Sequence, residues 1–330
     1  MEKNPREIAL DILLDIEKNK IFSNTALNTG LRSNQFMSKQ ERAFITRLVE
    51  GVVETRIRLD YIINSFSNTK VNKCKPLIRC ILRMGTYQIF YMEKVPDEAA
   101  CNECVKLAEK RGFRNLKGFV NGVLRNISRN KDNIKYPDKA NEHRKYISVM
   151  YSVPEEVIDI LEEDYSPEDV ESIVCAAFAD RSTTIRVNRD RISVDEFKKE
   201  LESNGISVRR GNYTDNTLLI DDYDYIRKVP GFHQGYFNVT DESSVMAVDC
   251  AGINKGDLVL DMCAAPGGKT MYAAELTGPT GTVISRDVSD KKVELIEENI
   301  ERLGYENVNP QVFDACVYDE TMEGKADVVL

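Results

Sequence analysis

VLDMCAAPGGKT, Val259–Thr270, is the stretch whose reading decides the fold of the C-terminal part of this chain. An apolar strand ends in Asp261 and enters a turn with two adjacent glycines, Gly267 and Gly268. Lys269 and Thr270 then open a helix-like run, KTMYAAEL. A strand, a glycine turn and a helix start together make a nucleotide site, because the first amides of the helix point at the ligand. Downstream, TVISRD and VNPQVFD read as strands around the helical KKVELIEENIERLG, and ADVVL reads as a fourth strand. A helix over Ser243–Cys250 precedes the first. Strands alternating with helices specify a parallel, doubly wound α/β sheet. About four strands fit before Leu330 and such sheets usually carry more, so the chain is expected to be a fragment of a longer one.

Three nucleotide classes compete for the turn. A triphosphate loop requires G-x-x-x-x-G-K followed by Ser or Thr; Gly268-Lys269-Thr270 supplies the second half, but Cys263 stands where the first glycine belongs. A dinucleotide fingerprint, G-x-G-x-x-G, is absent. S-adenosylmethionine has no phosphate to cradle, so the missing glycine costs nothing, and Gly267 and Gly268 permit close backbone approach. Its ribose requires a carboxylate at the end of the next strand, and Asp287 closes TVISRD. An acceptor for the adenine amino group belongs at the end of the third strand, and Asp314 closes VNPQVFD. Ligands sit outside the carboxyl ends of such strands, where these elements converge. Asp261 is read as a brace for loop amides. Lys269 either reaches a carboxylate or lies on the surface.

The rest of the chain has a different texture. Residues 1–130 read as an all-α domain of six or seven helices: Asn4-Pro5-Arg6-Glu7 and Ser38-Lys39-Gln40-Glu41 are capping boxes, and further helices follow Pro76, Pro96 and Lys117. A polar linker spans 131–143. Residues 144–235 mix short helices with the strands TTIRVN, ISVRR and TLLI, a small α+β module, and the α/β domain occupies 236–330. Net charge is −9, yet residues 1–130 carry 23 Lys+Arg against 14 Asp+Glu. A basic N-terminal module with an acidic remainder suits a polyanionic partner.

Eight cysteines at irregular spacing indicate reduced thiols in a cytoplasmic protein. The lone Cys-x-x-Cys, Cys101 to Cys104, lacks a second pair, so no metal is expected. No leader and no apolar run long enough to span a membrane stand out.

These residues match a known family. LDMCAAPGGKT resembles the first motif of bacterial RNA (cytosine-C5)-methyltransferases, and PGFHQGYFNVTDESS, Pro230–Ser244, resembles the segment preceding their catalytic domain. ILRMGTYQIFYMEKVPDEAACNECVKLAEKRG, Ile81–Gly112, and GFVNGVLRNI, Gly118–Ile127, resemble the antitermination factor NusB. A NusB-like domain fused to a Nop2/Sun-type methyltransferase core resembles the RsmB (Sun) type, which methylates 16S rRNA. The resemblance implies an RNA-recognition-like middle module and a Rossmann-like domain using S-adenosylmethionine. It implies that Cys263, Ala264, Ala265, Pro266, Gly267, Gly268, Lys269, Asp287 and Asp314 contact that cofactor.

The implied reaction is the C5 methylation of a cytosine. A thiolate adds at C6, making C5 nucleophilic, and an acid interacts with N3. In the family the nucleophilic cysteine follows a Pro-Cys motif after the fourth strand, so both are expected beyond Leu330 and this chain alone is expected to transfer no methyl group. Cys263 and Cys316 are poorly placed to replace it. RNA binding is expected from two basic clusters, Lys70, Lys73, Lys75, Arg79 and Arg83, and Arg111, Arg114, Lys117, Arg125 and Arg129, with Arg186, Arg189, Arg191, Arg209 and Arg210 in the middle module. Two other readings remain: an RNA-binding, antitermination-like module with an inactive methyltransferase tail, and a P-loop NTPase.

Overall fold

The computed structural model describes residues 4–34, 36–177, 182–223 and 225–330. The chain forms two compact units, Met1–Ala179 and Asp180–Leu330.

The first unit is helical: α1 (Pro5–Asn19), α2 (Ser23–Arg32), α3 (Lys39–Glu54), α4 (Arg56–Phe66), α5 (Pro76–Tyr91), α6 (Asp97–Lys110), α7 (Lys117–Arg129), α8 (His143–Tyr151), α9 (Glu155–Glu162) and α10 (Pro167–Ala177). Both expected capping boxes form: Asn4 Oδ1 accepts the Glu7 N–H at 3.0 Å, and Ser38 Oγ accepts the Glu41 N–H at 3.3 Å. Each satisfies an amide that the first helical turn leaves without an intrahelical partner. Helix α5 is buried along almost its whole length, from Ile78 to Ile89, so it forms the centre around which α1, α3, α4, α6 and α7 pack. Cys101 and Cys104 of α6 lie in this core, where burial drives the Cys104 thiol up to about 12.

The stretch 131–143, read above as a linker, lies against α4. Tyr136 stacks on Tyr61 with ring centroids 6.1 Å apart, and the Tyr61 hydroxyl donates to the Lys135 carbonyl at 2.7 Å. Its polar composition gave no sign of these two contacts with Tyr61. Region 144–235 falls on both sides of the division between units: α8, α9 and α10 enclose a small core of Ile147, Ile158, Val170 and Val174 in the first unit.

The second unit holds β1 (Thr183–Val187), α11 (Val194–Ser203), β2 (Ser207–Arg210), β3 (Thr217–Asp221), β4 (Phe237–Val239), α12 (Glu242–Cys250), β5 (Leu258–Asp261), α13 (Gly268–Thr277), β6 (Thr282–Asp287), α14 (Asp290–Leu303), β7 (Val308–Val312) and β8 (Val328–Val329). The strands make two four-stranded sheets. One is antiparallel, in the order β2-β3-β1-β4, over a core that includes Ile185, Phe197, Leu218 and Phe237. The other is parallel, in the order β7-β6-β5-β8. Its strand order reverses direction at β5, so the crevice beside the carboxyl end of β5 is a topological switch point, where open α/β sheets bind ligands.

Candidate functional site

The turn after β5 occupies that crevice. Gly267 caps α13 and its N–H donates to the Ala264 carbonyl at 2.7 Å, while the Ala264 N–H donates to the Arg286 carbonyl of β6 at 2.9 Å. Asp287 braces the turn from the end of β6. Its Oδ2 accepts the Ala265 N–H at 3.0 Å, its Oδ1 accepts the Val288 N–H at 2.8 Å, and Lys292 Nζ lies 2.9 Å from Oδ1. Sequence reading missed Lys292, because nothing in the charged run of α14 marks one lysine from its neighbours.

The two glycines have structural reasons of their own. Gly267 sits at φ +105°, a conformation that side chains disfavour, and a Cβ there would lie 3.3 Å from Met271 Cε. A Cβ on Gly268 would lie 3.1 Å from Thr240 Oγ1. A side chain at either position would therefore crowd the protein itself, and Thr240 is a neighbour of the turn that sequence alone did not reveal.

The acids differ in environment. Asp261 is fully buried, and Thr270 donates to its Oδ2 at 2.7 Å. Burial pushes its carboxyl above the usual range, against the pull of Thr270 and Lys269. Asp287 is only 5% exposed, and burial alone would raise it as well. Lys292 and the two backbone donors outweigh burial and hold it below the usual range. Asp314 follows β7, exposed, with its Oδ1 accepting the Cys316 N–H at 2.9 Å. A backbone bond from the Phe313 N–H to the Asp287 carbonyl, 2.9 Å, ties that strand end to β6. Cys263 and Cys316 are both exposed, and Lys269 is half-buried.

These residues suit a ligand with an amino-acid end, a diol and an aminated heterocycle. The first turn of α13 has no side-chain cap, which leaves its amides available to a carboxylate. Asp261 Oδ1 is buried with no hydrogen-bond partner among the described residues, an acceptor of the kind an α-ammonium group would satisfy. Asp287 offers a held anionic carboxylate to a diol, and Asp314 an exposed acceptor. Among the described residues, no group of three or more His, Cys, Asp or Glu side chains converges.

The basic residues separate into two sets. Lys70, Lys73 and Lys75 are exposed around the start of α5, as is Arg114, with 84% of its side chain accessible although its Nε lies 3.7 Å from Glu109. Lys117 is exposed but within 3.0 Å of Glu109; Arg111 lies 2.6 Å from Asp11, and Arg125 donates to Asn121 at 2.9 Å. Arg79 pairs with Glu17. Arg83 is buried, with Nε and Nη2 each 2.7 Å from Asp60 and Nη1 2.9 Å from Glu17. Arg186, counted above among RNA-facing cations, is fully buried: it pairs with Glu275 of α13 and stacks 4.7 Å from the Tyr272 ring. It joins the antiparallel sheet to α13 and presents nothing to solvent. Arg189 completes the pair from the other side, 2.9 Å from Glu275.

A parallel sheet with an acid-braced glycine turn, an antiparallel sheet in the same unit and a helical unit are the architecture of an RNA methyltransferase, and three family models match the chain. The NusB family matches residues 3–129, the ferredoxin-like domain of RsmF/B-like methyltransferases residues 153–224, and the 16S rRNA methyltransferase RsmB/F family residues 251–330. The chain is 34% identical over 320 residues to a Bacillus subtilis protein named probable ribosomal RNA small subunit methyltransferase B, covering 97% of this chain and 70% of that one. A Synechocystis protein of the same name is 29% identical, with 92% of this chain and 68% of that protein covered. The solved structure of PH0851 has the same fold, with a TM-score of 0.73 at 21% identity, covering 96% of this chain and 70% of that one. The chain belongs to the ribosomal RNA small subunit methyltransferase B family. No helix among its described residues is long and apolar enough to cross a membrane.

Proposed function

We propose that the protein methylates C5 of a cytosine in 16S rRNA, with S-adenosylmethionine as donor. The observation that carries this reading is the site itself: Asp287 braces the turn after β5 while the first amides of α13 stay uncapped. Bound there, S-adenosylmethionine would supply an electrophilic methyl group. The amides of Gly268, Lys269 and Thr270 would hold its carboxylate, Asp261 its ammonium group, Asp287 its ribose diol and Asp314 its adenine amino group. Cys263, Ala264, Ala265 and Pro266 would shape the turn around it.

C5 of cytosine becomes nucleophilic only after a thiolate has added at C6. We assign that thiol to neither Cys263, whose backbone the turn uses, nor Cys316, whose N–H caps Asp314. RNA would be gripped by the exposed Lys70, Lys73, Lys75 and Arg114 of the helical unit, and the target base must be unstacked to reach the crevice. Bisulfite sequencing of 16S rRNA from cells lacking the gene tests the proposal. One protected cytosine should become convertible and regain protection on complementation; an unchanged pattern would refute it.

A further inference from the structure

Among the described residues of the second unit, five arginines have a carboxylate within ion-pair distance. Arg186 and Arg189 pair with Glu275, Arg209 with Asp221, Arg210 with Asp195 and Arg286 with Asp319. The other three, Arg191, Arg227 and Arg302, appear in no such pair, and all three line one groove of about 730 Å³. His233 and Pro266, the latter in the turn after β5, also line it. Glu298 and Glu301 of α14 also line the groove, but both are exposed and neither pairs with an arginine.

Arg302 is the fixed element. Its guanidinium donates to the carbonyls of Phe232 and Phe237 at 3.2 and 2.8 Å, and to Oδ1 of Asn238 and Asn299 at 3.1 and 2.7 Å. It also stacks 4.4 Å from the Phe232 ring. Every one of these acceptors is neutral. Burial, and then the neighbouring charge of Arg227, lower its pKa to about 10. A half-buried cation with no carboxylate at ion-pair distance contributes positive potential to the groove beside it, where three arginines outnumber Glu298 and Glu301. Arg191 and Arg227 are exposed there; Arg191 Nη1 donates to the Gln234 carbonyl at 2.7 Å, which holds the side chain in place and leaves further N–H groups for a ligand. Asn299 Nδ2 donates to the Pro266 carbonyl at 2.9 Å, tying this helix face to the turn.

We propose that this groove is a phosphate site holding a backbone phosphate of a single-stranded RNA segment beside the cofactor turn. The inference rests on the RNA-methyltransferase reading above and adds a contact in the second unit to the basic surface of the first. Arg191 and Arg227 supply the donors, Arg302 supplies fixed charge, and the phosphate orders the strand so that the neighbouring base is delivered toward the crevice. An open groove of about 730 Å³ lined in part by Pro266 suits a continuing strand better than a free ion.

Hydrogen–deuterium exchange on the whole chain tests this, using a short single-stranded oligoribonucleotide and, separately, inorganic phosphate at matched ionic strength. The oligonucleotide should slow exchange in residues 225–239 and 296–304. The paired substitution Arg191→Glu and Arg227→Glu should abolish that protection while protection near Lys73 persists and the thermal midpoint stays put. Affinity should fall on the order of tenfold, and the salt slope should become shallower by roughly 0.7 for each phosphate no longer neutralised. The Arg191→Lys and Arg227→Lys pair should restore most of it. Protection confined to the helical unit would overturn the groove site while leaving RNA binding intact; no protection anywhere would overturn the RNA reading itself. Equal protection by inorganic phosphate would overturn the assignment to an RNA strand.

Discussion

The carboxylate of Asp287, at the end of β6, accepts the backbone N–H of Ala265 at 3.0 Å, so the acid of one strand holds the turn that follows its neighbour. In the proposed cofactor site, recognition of the ribose and turn geometry would therefore be coupled through one side chain. Lys292, 2.9 Å away, keeps that side chain anionic, which both tasks require.

Gly267 is fixed by its backbone. At φ +105°, Gly267→Ala should lower stability by about 1–2 kcal/mol, read from urea unfolding. A variant as stable as the parent would mean that the turn adopts another conformation.

Arg186 and Glu275 are both buried, and removing one leaves the other charged in the interior. Arg186→Met should cost about 3 kcal/mol, the low end for a broken buried pair because Arg189 still reaches Glu275. At equal folded fraction, its RNA affinity should match the parent. A selective loss of RNA binding in a fully stable variant would return Arg186 to the RNA surface.

The exposed lysines should behave in the opposite way. The pair Lys73→Glu and Lys75→Glu should weaken RNA binding and flatten its salt dependence, measured by fluorescence anisotropy, without moving the thermal midpoint. Arg83→Ala should instead destabilise the helical unit, because it strands Asp60 and Glu17.

Glu242 of α12 accepts the N–H groups of Asn212, Tyr213 and Thr214 at 3.0, 2.9 and 3.3 Å and the Thr217 hydroxyl at 3.0 Å. Burial would raise its carboxyl, but these donors prevail and hold it below its ordinary 4.5. A depressed value in the folded state means that the ion stabilises the fold above the ordinary value and loses that effect as pH falls through the folded one. Glu242→Gln should cost about 1–3 kcal/mol near neutral pH, with the difference shrinking below about pH 4 in urea titrations. A difference independent of pH would contradict this.

Much of the architecture was legible because it is written locally. The capping boxes at Asn4 and Ser38, the glycine turn and the strands TVISRD and VNPQVFD are each set by residues a few positions apart. What escaped is tertiary. An arginine inside TTIRVN looks like a surface cation until Glu275, 89 residues on, supplies its partner. The stretch 131–143 looks like a linker until Tyr136 meets Tyr61 of α4. Arg302 sits in a charged helix whose period gives no sign that four neutral acceptors surround its guanidinium. Periodicity reports which face is buried, and pairing between distant segments lies outside its reach.

The most direct test is calorimetric titration of the chain and its Asp287→Asn variant with S-adenosylmethionine and with ATP–magnesium. Asparagine removes the charge and keeps one acceptor oxygen, enough for the Ala265 N–H but not also for that of Val288. The parent should bind S-adenosylmethionine and not ATP, and the variant should bind it about tenfold or more weakly. Binding of ATP instead, or equal affinity in parent and variant, would contradict the account.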